Sequence, residues 1–216
     1  MKTPIQLIVL AYTKFGESSV VLHTLSKEYG RRSFLVKVGK RTTMSMFLPL
    51  SILDATIIES PKSNLWKAYG FSSPESLMGI RNNLRKNTIT MFMSEVLYRT
   101  VKDGESEEGL FEWCLSQIML LNALEGNYAN FHINFLLELS GALGFRATVE
   151  DIAPFAKENF PKIKEFMQSD FPSAMFIPLT GEERNSICEE ILSYLEYHTE
   201  SRINVRSLGV LKELYR

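Results

Sequence analysis

A chain of 216 residues leaves room for one large domain or two small ones, and 45% hydrophobic with 23% charged residues is ordinary globular composition. The formal charge of −1 conceals a division: residues 1–80 carry 10 Lys and Arg against 5 Asp and Glu, net +5, while residues 81–216 carry 14 against 20, net −6. No apolar run reaches the length of a bilayer span, and the run from Ile5 to Ala11 is short and lacks the small-residue site of a cleaved signal, which makes the cytoplasm the expected compartment. Cys114 and Cys188 lie far apart with no Cys or His at ligand spacing, which argues against a disulfide framework and a zinc site and for two buried thiols.

Residues 5–71 read as strands. Ile5 to Phe15 is rich in β-branched and aromatic residues and is broken by Gly16; Ser19 to Leu25 continues the pattern. Lys27 to Gly30 is a turn with glycine where positive φ is needed. Ser33 to Val38 alternates as a half-buried strand and runs into a basic loop after Gly39. Leu48 to Glu59, with Pro49 near its start, and Leu65 to Phe71 complete five strands, separated by a turn at Pro61. Five short strands with hairpin punctuation fit a small closed barrel, the OB-fold being the commonest; an SH3-like barrel has the same periodicity.

From Ser72 onward the period becomes helical. A serine N-cap followed by Pro74 predicts a helix start, with a short helix over Leu77 to Arg85. Asn87 to Val101 and Glu107 to Leu124 repeat apolar residues at spacings of three and four, and Tyr128 to Leu143 is apolar on more than one face, as the central helix of a bundle would be. Arg146 to Pro178 is irregular and proline-punctuated, with one helix expected over Lys162 to Met167. Thr180 with Glu183 forms a capping box for a helix reaching His198, and a last helix starts at Asn204 or Ser207. The expected architecture is α+β: an OB barrel over residues 1–72 and a helical bundle over residues 73–216.

No catalytic constellation accompanies these elements. His23, His132 and His198 have no carboxylate or cysteine at ligand spacing, and are expected to be satisfied core or surface residues. Gly39-Lys40-Arg41-Thr42 lacks the upstream glycine and the strand-to-helix setting of a P-loop, and no Gly-x-Ser-x-Gly elbow occurs. The chain therefore reads as a binding protein, not an enzyme. Arg31, Arg32, Lys37, Lys40 and Arg41 fall within eleven residues of the basic third and would hold phosphates, with Lys14 and Lys67 at the margins. Tyr12, Phe34, Phe47 and Tyr69 are the aromatic candidates for base stacking, of which Phe34 belongs in the core. The competing reading is a helical scaffold whose barrel binds protein, the basic loop being neutralised by the acidic bundle; burial of Lys40 and Arg41 against the bundle would mark it.

Gly16-Glu17-Ser18-Ser19-Val20-Val21, Thr24, Tyr29-Gly30-Arg31, Phe34 to Arg41 and Leu48-Pro49-Leu50 resemble, in order, the amino-terminal signature of the bacterial RecO recombination mediators. Phe135 to Leu139 through Gly144-Phe145, and Arg206 to Leu211, are similar to that family's central and final helical segments. The resemblance implies an OB domain and a helical domain, binding of single- and double-stranded DNA, and annealing of complementary strands. It also implies work with RecR and with the tail of the single-stranded DNA-binding protein in loading recombinase at gaps. Carried over by residue, the DNA contacts are Arg31, Lys37, Lys40 and Arg41, joined by Arg32 on charge. Many members carry a four-cysteine zinc module after the central helix; this chain has no cysteine between Gly144 and Cys188, so no metal and no cofactor are expected. His132 and Asn134 stand where relatives often place an arginine.

Overall fold

A computed structural model describes residues 2–60, 63, 65–104 and 108–215. Five strands, β1 (Lys2–Lys14), β2 (Ser19–Ser26), β3 (Gly30–Lys37), β4 (Ile52–Ile58) and β5 (Trp66–Ser72), close into a barrel in the order β1-β2-β3-β5-β4. Every pairing is antiparallel except β3 with β5, which run parallel through Phe34↔Trp66 and Leu35↔Lys67. That parallel closure is the OB arrangement, and it decides between the two barrels that periodicity leaves open. β1 is long because it serves two partners: Lys2 to Ile8 pairs with β4, and Ile8 to Lys14 pairs with β2. A register shift between Val9 and Ala11 bends it from one to the other.

Alternation along β1 splits its side chains between two cores. Leu7 and Val9 point inward to Leu22, Phe34, Val36, Phe47, Leu53 and Ile57, which fill the barrel. Ile8 and Leu10, on the opposite face, join Leu25, Leu50 and Ile52 in a second core made mostly of helical residues. The barrel is thus not wrapped in polar surface on all sides. One flank is part of the bundle's interior.

Local details differ from expectation where tertiary contacts override propensity. β3 begins at Gly30, whose φ of 56° fits the left-handed turn expected there, three residues before the predicted Ser33. β4 begins at Ile52 and not at Leu48, because Leu48 to Ser51 forms a turn: the amide of Leu50 donates to the Val9 carbonyl (2.8 Å), and Leu50 takes a φ of 57° to bury its side chain. Ahead of that turn, Met44–Phe47 forms a 3₁₀ segment that places Phe47 in the barrel core.

The helices among the described residues are α1 (Met78–Arg81), α2 (Leu84–Thr100), α3 (Leu110–Ala123), α4 (Phe131–Ala142), α5 (Val149–Ile152), α6 (Phe160–Gln168), α7 (Phe171–Phe176), α8 (Gly181–Thr199) and α9 (Ser207–Leu214). None is long and apolar enough to cross a membrane. Ser73 does not cap a helix: its hydroxyl donates to the carbonyls of Ile52 and Glu75, and the first helical residue is Met78. The segment expected over Leu77 to Arg85 is two helices, broken where Asn83 accepts from the Lys86 amide and caps α2. The irregular stretch holds three short helices and not one. Thr148 with Asp151, and Asp170, cap α5 and α7, while Pro161 and Pro172 stand at the permissive first turns of α6 and α7. The Thr180–Glu183 capping box and the start at Ser207 are as expected. The turn predicted at Pro61 and the helix start predicted at Glu107 fall outside the described residues.

Candidate nucleic-acid interface

The alternation of β3 sorts the five predicted cations. Phe34 and Val36 are buried inside the barrel, so Arg31, Ser33, Leu35 and Lys37 lie on its outer face, and Arg32 shares the inward phase at the barrel's end. Arg31 is committed to the helices. Its guanidinium lies 4.7 Å from the centre of the Tyr98 ring, donates to the Tyr98 carbonyl and stands 3.6 Å from Asp103, and its own carbonyl accepts from the Gly104 amide (2.8 Å). Arg32 lies over Trp66, 3.6 Å from the ring centre, with its Nε buried and without a hydrogen-bond partner among the described residues. Lys37, Lys40 and Arg41 are exposed, and among the described residues none of them takes part in an ion pair. The structure therefore divides the predicted cluster into two held arginines and three free cations.

Arg31 and its partners Tyr98 and Asp103 close one end of the outer face of β2 and β3. His23, opposite Ser33 in register, bridges Ser33 Oγ (2.8 Å) and Thr13 Oγ1 (3.1 Å) through its two ring nitrogens, with Tyr98 5.0 Å from its ring. Burial, then the nearby Arg31 charge, hold its pKa below the ordinary imidazole value. This is the satisfied histidine the sequence predicts.

At the other end the face is open. Register carries a row across the barrel from Leu35 on β3 to Lys67 on β5, Ile58 on β4 and Lys2 on β1; Tyr69, two residues along β5, lies opposite Thr56. Leu35, Lys37, Ile58, Lys67 and Tyr69 line a groove of about 310 Å³ that begins beside Ser19. Tyr69 is 40% exposed and has the Lys2 ammonium 6.0 Å from its ring centre. Among the described residues no carboxylate lines this groove. Of the four aromatics predicted as platforms, Phe34 and Phe47 are core residues and Tyr12 and Tyr69 are exposed; of these, Tyr69 lies in the groove. Lys2, Leu35 and Ile58 were invisible as site residues in the sequence, because only strand register brings them together.

Elsewhere the chemistry is less suited to a polyanion. A cleft of about 520 Å³ in the helical part is lined by Glu158, Glu189 and Glu190 and has the wrong sign. A smaller one, about 130 Å³, is lined in part by His198, which stacks on Phe145. Cys114 and Cys188 are buried free thiols whose pKa burial pushes up. One cationic group does stand out among the helices: Arg85 and Arg184 lie 5.3 and 5.4 Å from the centre of the Tyr215 ring, and Tyr215 stacks over the buried His132. His132 Nδ1 and Tyr215 Oη are both buried without a partner among the described residues. Asn130 holds Arg184 by accepting from its Nε (2.8 Å), and donates to the carbonyls of Ala174 and Ile177.

The residues after α4 contain no cysteine before Cys188. Among the described residues no three His, Cys, Asp or Glu side chains converge on a metal site. The segment is ordered instead by Ile152, Ile163 and Phe166 in the core, and by the carboxylate of Glu190, which accepts from Asn159 Nδ2 (2.7 Å) and the Lys157 amide (3.1 Å).

Residues 1–67 match the family model described as "Recombination protein O N terminal", and residues 81–153 match "Recombination protein O C terminal". The chain is 25% identical to the DNA repair protein RecO of Azobacteroides pseudotrichonymphae, over 96% of this chain and 97% of the relative. It is 27% identical to that of Phocaeicola vulgatus over the same shares, and 23% identical to that of Flavobacterium psychrophilum over the full length of both.

Proposed function

Because this chain belongs to the RecO family, we propose that it is a DNA repair and recombination mediator that binds single- and double-stranded DNA through its barrel and catalyses no reaction. Lys37, Lys40 and Arg41 are the phosphate contacts, with Arg32 at the margin and Arg31 serving to fasten the barrel to the helices. The observation that carries this reading is the exposure of those three cations, without ion-pair partners among the described residues, at the open end of an OB barrel. Point charges on a loop and a strand end recognise backbone and not base edges, so binding is indifferent to sequence and sensitive to salt. Annealing follows if two complementary strands are held with their phosphates neutralised.

The scaffold reading needs the basic loop to be spent on the bundle. Two barrel cations are spent that way, Lys27 on Glu112 and Arg31 on Asp103, but Lys40 and Arg41 are not. The helical part is proposed to receive RecR and the acidic tail of the single-stranded DNA-binding protein. Arg85 and Arg184 around Tyr215 are the cations placed to meet a carboxylate.

Replacing Lys40 and Arg41 together by glutamate tests the barrel assignment. Losing two phosphate contacts is expected to reduce the slope of log affinity against log salt for single strands by about 1.4. An unchanged slope and affinity across several salt concentrations would overturn it.

A further inference from the structure

We propose that the groove centred on Tyr69 seats an unpaired base, so that this part of the barrel selects single-stranded over duplex nucleic acid. The proposal rests on the reading that the barrel binds nucleic acid and names the form of nucleic acid that this groove takes.

Three features converge on it. Tyr69 presents an aromatic ring on the outer face of a strand, with no second aromatic among the described residues packed against it and the Lys2 ammonium at its edge of reach. The floor beside it is apolar, supplied by Leu35 and Ile58, whereas the cations Lys37 and Lys67 stand in the same lining. A ring and an apolar floor flanked by cations match the two halves of a nucleotide, a flat base and an anionic phosphate. Duplex DNA offers the phosphates but keeps its base faces stacked on one another. It can use the lysines of the groove but not the ring.

Topology fixes the route. The outer face of β2 and β3 is closed at its far end by Tyr98, Asp103 and Gly104, which dock on Arg31. The open surface instead crosses from β3 over β5 and β4 to β1, four strands at about 4.8 Å spacing, or about 15 Å of path. The free cations Lys40 and Arg41 follow β3 in the loop beyond Lys37, so the same strand can leave the groove onto that loop.

The test uses the full chain with Tyr69→Ala and Tyr69→Phe, measuring binding to an oligothymidine and to a duplex of equal length at one salt concentration. Tyr69→Ala is expected to weaken single-strand binding about tenfold and duplex binding less than about twofold, with the salt slope unchanged because no charge is lost. Tyr69→Phe keeps the ring and should bind as the parent does. Equal losses on both forms, or no loss on either, would overturn the proposal. If Lys40→Glu with Arg41→Glu abolishes binding while Tyr69→Ala leaves it untouched, the barrel reading stands and this one falls; if neither variant moves, both fall. A second measurement needs no variant: photocrosslinking the parent protein to an iodouracil-substituted single strand should label β5 at Tyr69, and label confined to other segments would count against it.

Discussion

His132 sits inside the bundle between Phe92, 5.7 Å away edge-on, and Tyr215, 6.4 Å away and nearly parallel. Burial, reinforced by the Arg184 charge, pushes its pKa down to about 3 from 6.5. Between those values the unfolded chain binds a proton that the folded chain refuses, so folding stability falls on acidification through this window. The contribution approaches about 1.4 kcal/mol per pH unit. Replacing His132 by Phe keeps a flat ring and removes the unpartnered Nδ1. Denaturant unfolding between pH 6.5 and 5, where the carboxylates are still ionised, should then lose the His132 share of that pH dependence and keep the share of His23, whose pKa is also lowered. A slope equal to that of the parent would show that another group carries it. Arg31 makes a related point about reading residues singly. By charge it belongs with Lys40, but by position it belongs with Tyr98.

The elements were legible where a local signal sets them. The capping box at Thr180 and the turn glycine at Gly30 act within a few residues, and both stand where local chemistry puts them. The elements that differ from expectation are set by distant partners. Gly79 in α1 shows how closely two helices meet: a Cβ added there would overlap the Asn122 carbonyl oxygen at the end of α3. The contact is reinforced by Asn122 Oδ1, which accepts from the Ile80 amide (3.2 Å), and by Lys86, whose ammonium donates to the carbonyls of Asn122 and Leu124. Gly79→Ala is expected to destabilise the fold by about 1–3 kcal/mol, the usual range for forcing atoms into a packed contact. Thermal or denaturant unfolding checks it, and a neutral result would mean that α1 moves without cost. Nothing in the sequence around Gly79 distinguishes it from a helix-weakening glycine, because its reason lies far along the chain at Asn122.

For the molecule as a whole, the last barrel strand ends at Ser72, but the apolar interior does not stop there. Ile8, Leu10, Leu25, Leu50 and Ile52 leave the barrel and enter the core of the helices, and Arg81 straps the joint by donating to the Pro49 carbonyl and Ser51 Oγ, each at 3.0 Å. Burying five such side chains is worth on the order of 10 kcal/mol, comparable to the net stability of an ordinary domain. A fragment ending at Ser72 would expose them all. It should therefore bind a hydrophobic dye and lack a cooperative transition, while the full chain unfolds in one step by calorimetry. Two separate transitions in the full chain, or a cooperative fragment, would contradict this.

What the sequence determined by itself was everything carried by short-range pattern: a strand-rich basic third, a helical acidic remainder, buried cysteines, a capping box, and the cluster of cations from Arg31 to Arg41. Two-residue and 3.6-residue periods and local turn chemistry act between neighbours, so they are readable without coordinates. The tertiary structure alone decided the parallel closure of β3 on β5, the capture of Arg31 by Tyr98 and Asp103, and the assembly of Lys2, Lys37, Lys67 and Tyr69 around one groove. Those depend on strand register and on contacts between residues far apart in the chain. Charge tells which side chains are available to a polyanion, but only packing tells which of them remain free.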